Sequence, residues 1–137
     1  MLTYLKSAGP GLQERLNETT AGFATRVNGL LREHDVPFTL PHFGSQLFLR
    51  HTDDDELGSL LFHYLRLKGV HILEGFPSYL TVSHSPEDLD RVVRAFGESI
   101  EEMLEAGFFR RQAKPQAAAP RPGEPPVPGA RLGRDPD

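Results

Sequence analysis

No cysteine occurs among the 137 residues. That single absence excludes disulfides, thiolate metal sites and cysteine nucleophiles, and it permits a reducing compartment. Lysine is scarce as well, confined to Lys6, Lys68 and Lys114. No stretch approaches the roughly 18 consecutive apolar residues of a membrane span. The opening MLTYLKSAGPGL lacks the apolar run of a signal peptide. These absences together predict a cytoplasmic chain with no membrane partner.

Proline is plentiful but uneven. Seven of the 12 prolines fall between Pro115 and Pro136, among Ala117–Ala119 and scattered arginines. Such a stretch has almost no large apolar residues to offset the entropy of ordering it, so residues 108–137 read as a disordered linker. Residues 1–107 are left to fold. A domain of that size buries only about 60–65% of its unfolded surface and is marginal alone.

Charge divides at the same place. Residues 1–107 carry 9 Lys/Arg against 16 Asp/Glu, a net −7, and residues 108–137 carry 6 against 3, a net +3. An acidic body argues against nucleic acid as a partner. The basic tail has no aromatics after Phe109 on which bases could stack.

Periodicity supplies the elements. Leu12, Leu16, Phe23, Val27, Leu30 and Leu31 form the stripe of an amphipathic helix from about Pro10 to His34. Ahead of it, Leu2, Tyr4 and Leu5 look like the end of another helix closed by Gly9, with no N-cap before them. VPFTLPHFGSQLFLRH reads as two strands turned at Gly44-Ser45. Pro37 and Pro41 cannot donate to a ladder, which places the first strand at an edge. Thr52 and Asp55 make a capping-box pattern for a helix ending at Lys68-Gly69. VHIL and SYLTVSH read as two further strands joined through EGFP. Ser85, Pro86 and Asp88 announce a last helix that ends at Gly107. The predicted class is α+β, a small and mostly antiparallel sheet with helices packed on one face.

Candidate chemistry is thin. Ser83-His84-Ser85 invites a nucleophile-base reading, but neighbours along a strand point to opposite faces, and Ser85 has a sufficient task as an N-cap. His34, His42, His51, His63, His71 and His84 include no pair spaced i, i+4, so no metal site is expected. Asp53–Glu56 lacks the twelve-residue calcium-loop spacing and reads as a solvated helix start. Residue chemistry alone yields no active site.

The stretches HFGSQLFLR and LLFHYLRLKGVHILEGFPSYLTVSHSPEDLDRVVRAFGESIEEM resemble the C-terminal part of class III pyridoxal-phosphate aminotransferases of the glutamate-1-semialdehyde aminomutase type. The resemblance is closest to those embedded in polyketide and nonribosomal peptide synthetases. It runs from about Leu2 to Gly107, and its most specific parts are the GV-x-I-x4-P turn and the S-H-S-x-E-D-L-D helix start.

Several expectations follow from this likeness. The chain is a fragment carrying the small domain (residues 1–107), and the large domain is missing. The intact enzyme is a homodimer that transfers amino groups with pyridoxal phosphate, and its neighbours are synthetase modules. Glu74, Gly75, Phe76, Pro77 and Ser78 face the substrate cleft. None of the three lysines lies where the family places its cofactor lysine, so no catalytic, cofactor-binding or metal residue carries over and the chain alone is expected to be inactive. Leu2, Tyr4, Leu5 and Phe76 are expected to lack the apolar partner that the large domain provides. The alternative is a free-standing, non-catalytic interaction or regulatory module of similar fold.

Overall fold

A computed structural model describes Thr3, Lys6, Ser7, Gly9, residues 11–52 and residues 56–108. The expectations for Leu2, Tyr4, Leu5, Pro10, Asp55 and the linker beyond Phe108 lie outside the described residues.

Helix α1 spans Gly11–Glu33 and buries Phe23, Ala24, Val27 and Leu31 on one stripe, as the spacing predicts. It stops in a six-residue closure. Val36 N–H donates to Leu31 O at 3.2 Å and Asp35 N–H to Arg32 O at 3.2 Å. Asp35 occupies the left-handed region that this closure requires, at φ 52°.

The predicted pair of strands is one hairpin with an interrupted ladder. Strands β1 (Phe38–Thr39) and β4 (Arg50–His51) pair, as do β2 (His42–Phe43) and β3 (Gln46–Leu47). Both pairings share one register, so a single hairpin runs from Phe38 to His51 around Gly44-Ser45. Gly44 supplies the positive φ, 57°, that a two-residue turn needs.

The interruption has a chemical cause. Pro41 O accepts from Phe48 N–H at 3.0 Å and Pro37 O from Thr52 N–H at 2.8 Å. Neither proline can donate back, so each pair keeps one bond instead of two. The strand is at an edge, as expected, but its prolines face the partner strand rather than solvent. Leu40, on the opposite side of the strand, is held by α1. Asn28 Nδ2 donates to Leu40 O at 2.9 Å, and Leu40 N–H donates to Asn28 Oδ1 at 2.8 Å.

A 3-10 turn, Glu56–Ser59, leads into α2, Leu60–Leu67. Helix α2 ends as the sequence predicts, with Gly69 at φ 82° and Val70 N–H returning to Leu65 O at 2.9 Å. That bond corrects the reading of VHIL as a strand. Closing the helix consumes Val70 N–H, and residues 70–73 form no ladder. The remaining strand, β5 (Ser78–Tyr79), therefore pairs with β3 and not with VHIL. Two antiparallel sheets result, β1-β4 and β2-β3-β5.

The last helix, α3, spans Pro86–Glu105 and buries Leu89, Ala95, Phe96, Ser99, Ile100 and Met103. It packs between α1 and α2, and α1 also covers β1, β2 and β3. Fully buried Val27, Leu31, Leu61, Leu65, Phe96, Ile100 and Met103 form the centre of the core. Helices on one side of a small antiparallel sheet match the predicted class.

Candidate functional site

The turn marked by sequence is built from its glycine outward. Phe76 N–H donates to Leu73 O at 3.3 Å, and Gly75 sits at φ 76°, a third turn position that glycine occupies without strain. Glu74 Oε1 accepts from Ser59 Oγ at 2.7 Å, which ties the turn to the approach of α2. Pro77 is half-buried and leads into Ser78, which pairs with Leu47 across β5-β3. Phe76 is left 64% exposed.

The five residues share one continuous corner but do not converge on one cavity. Glu74 and Gly75 line a cavity of about 220 Å³ against Phe48, Arg50, His51 and Phe62. Ser78 lines a different one, of about 330 Å³, beside Tyr79, His71, His84 and Arg91.

His84 is occupied by its own turn. Its N–H donates to Thr81 O at 3.1 Å, and its Nδ1 accepts from Thr81 N–H at 3.0 Å. Ser85 Oγ accepts from Asp88 N–H at 3.2 Å, and Asp88 Oδ2 accepts from Ser85 N–H at 3.0 Å, a complete capping box. The bond from Ser85 N–H, helped by the Ser85 side chain and by Arg91, holds the Asp88 carboxyl below its ordinary value. No serine hydroxyl among the described residues bonds to His84. The Ser-His-Ser run is thus a helix start and a turn, with no nucleophile-base pair.

Lys68 is the lysine best held by the structure. Its Nζ lies 2.6 Å from Glu102 Oε1 and 3.6 Å from Glu98 Oε2. The Glu102 bond raises its pKa, which keeps it an ammonium ion with no free electron pair. Lys6 is exposed. Covalent capture of an aldehyde cofactor requires a neutral amine beside groups that hold the rest of the cofactor, and the surroundings of Lys68 do not fit that task. Among the described residues no three of His, Asp or Glu gather as a metal site would require, and no helix is long and apolar enough to cross a membrane.

Sequence reasoning missed His51 and Gly58. The His51 ring stands edge-on to Phe38 with centroids 4.7 Å apart. A Cβ placed on Gly58 would come within 2.6 Å of that ring. Only the pairing of β4 with β1 and the path of the 3-10 turn bring these residues together, and no local signal marks them.

No family model matches the chain. Solved structures do. A transaminase with PLP bound superposes at TM-score 0.64 and 16% identity, over 74% of this chain and 26% of its own. A β-phenylalanine aminotransferase from Variovorax paradoxus superposes at 0.58 and 22% identity, over 66% of this chain and 24% of its own. An ω-transaminase from Sphaerobacter thermophilus superposes at 0.61 and 18% identity, over 70% and 25%. The fold is therefore that of a portion of the transaminases, and the chain spans about a quarter of the length of each.

Proposed function

We propose that this chain is the small domain of a pyridoxal-phosphate-dependent class III aminotransferase of the glutamate-1-semialdehyde aminomutase type. In this reading it belongs to a polyketide or nonribosomal peptide synthetase and works in the cytoplasm within a homodimer. The observation that carries the reading is the superposition, at TM-score 0.64 over 74% of the chain, on a transaminase with PLP bound.

The chain's own part is to shape. The Glu74–Ser78 corner, stiffened by the Ser59–Glu74 bond and the Gly75 turn, borders the substrate cleft and excludes water from it. The amine that receives the cofactor comes from a large domain, because Lys68 is committed to Glu102 and Glu98.

The test is reconstitution. Genomic DNA around this chain's codons encodes a lysine-bearing large domain, and producing both parts together yields amino transfer to a keto acid that neither part gives alone. Mixed with pyridoxal phosphate by itself, the chain develops no imine absorbance beyond that of a variant with all three lysines replaced by arginine. A lysine-dependent imine band in the isolated chain, or flanking DNA without a large domain, defeats the reading.

A further inference from the structure

The segment that has strand composition but no ladder leaves a space beside β5. Helix α2 takes the N–H of Val70, and β5 pairs with β3 instead. The cavity of about 330 Å³ lies in that gap, walled by residues 70–72, by β5 and by the first turns of α3. Its floor is apolar, for Phe23, Leu47 and Leu89 line it and are buried. Ser78 lies opposite Leu47 and projects to the same side.

The polar rim is dominated by donors. Arg91 can only donate, and among the described residues it enters no salt bridge. His84 Nδ1 accepts from Thr81 N–H at 3.0 Å, so this nitrogen holds the lone pair and the ring proton sits on Nε2. The nitrogen left for a ligand is thus a donor. His71 brings a second imidazole to the rim. Asp88 is the carboxylate there, and its Oδ2 is already held by Ser85 N–H at 3.0 Å.

We infer that this cavity binds a small organic acid, a single carboxylate on an apolar body, with Arg91 and His84 holding the carboxylate and Phe23, Leu47 and Leu89 receiving the body. A concave, mostly apolar hollow with a few convergent polar groups is the ordinary form of a small-molecule site, and roughly 300–1,000 Å³ is its ordinary size. The rim decides the sign of the charge. A carboxylate meets a guanidinium and an imidazole N–H, and charge-assisted bonds of this kind are the strong ones. An ammonium group meets one partly committed carboxylate with Arg91 beside it. A neutral hydroxyl gains no charge assistance. The inference needs neither a large domain nor a cofactor, so its failure leaves the aminotransferase reading untouched.

Nuclear magnetic resonance titration of the full chain tests the assignment, at a dilution where scattering shows a monomer. Three probes share one body: 3-phenylpropionate, 3-phenylpropan-1-ol and 3-phenylpropylamine. The acid gives saturable shifts at the His84 ring, the Arg91 side chain and the Leu47 and Leu89 methyls, and binds about tenfold or more tightly than the alcohol or the amine. Arg91→Gln weakens the acid by about tenfold or more and leaves the alcohol unchanged. Arg91→Lys keeps the charge without the planar fork and recovers part of the loss. Arg94→Gln makes the same change of charge at an exposed residue outside the cavity lining and has no effect. All three side chains are exposed or outside the core, so the variants keep the parent melt. Equal binding of the three probes, acid shifts confined to other residues, or full acid affinity in Arg91→Gln each overturns the inference. So does the lack of any saturable shift with the acid up to about 20 mM, a concentration at which a ligand of this size in a fitting site is bound.

Discussion

One side-chain amide does the work of a missing strand. Asn28 presents Oδ1 to Leu40 N–H and Nδ2 to Leu40 O, so a helix residue imitates a peptide group at the point where Pro41 breaks the ladder. Removing it strands two backbone groups of a residue that is itself buried. Asn28→Ala is expected to cost about 2–3 kcal/mol, since each net hydrogen bond is worth about 1 kcal/mol and abandoned partners add desolvation. Asn28→Asp retains the acceptor but sets a carboxylate against a carbonyl oxygen, so it fares no better than Ala at neutral pH. Urea titration of the three proteins checks both statements. Nothing near Asn28 in sequence signals this role. Its partner lies 12 residues on, across a helix end and a turn, and periodicity has no means of pairing an amide with a particular peptide group.

Helix ends were the most legible elements, because each is decided by a few adjacent residues. Ser85, Pro86 and Asp88 form the capping box that their spacing predicts, and Gly69 and Gly107 take the left-handed stops, at φ 82° and 76°. Ser85→Ala is expected to cost about 1 kcal/mol. The box also sets a pH dependence. The folded pKa of Asp88 is depressed, chiefly by the Ser85 N–H bond, so its contribution is complete above the unfolded pKa and is lost as pH falls through the folded one. Asp88→Asn is therefore less stable than the parent at neutral pH, and the two melting curves converge in acid below the ordinary carboxylate range.

The end of α1 follows the same closure without a glycine, with Asp35 at φ 52°. A left-handed conformation costs a non-glycine residue roughly 1–2 kcal/mol, partly returned through the unfolded chain. Asp35→Gly is expected to raise stability by about 0.5–1 kcal/mol, measured by thermal melt. Strands were legible as stretches but not as partners. VHIL has strand composition, yet α2 takes the N–H of its first residue, and β5 finds β3 across a separation that no local pattern encodes.

For the whole molecule, the core was readable from its stripes, whereas the outer aromatic face was not. Phe43 and Tyr79 stand 36 positions apart, and only the register through Gln46 sets them in one row. Of the apolar residues expected to lack a partner, Phe76 is 64% exposed. Exposed aromatic area has a consequence for the chain on its own. Burying it is worth roughly 25 cal/mol per Å², while folding of a small domain nets only about 5–15 kcal/mol. Two copies pressing these rows together remove apolar surface from water on both sides, against the lost freedom of the two chains and of the side chains they order. The isolated chain is accordingly expected to associate weakly and reversibly, so that light scattering per unit mass rises with concentration. Phe43→Glu with Tyr79→Glu abolishes the rise without lowering the melting midpoint, because neither side chain contributes to the core. A wild-type chain that stays monodisperse at high concentration, with a sharp cooperative melt, contradicts the fragment reading and favours an autonomous module whose aromatic row is simply solvated.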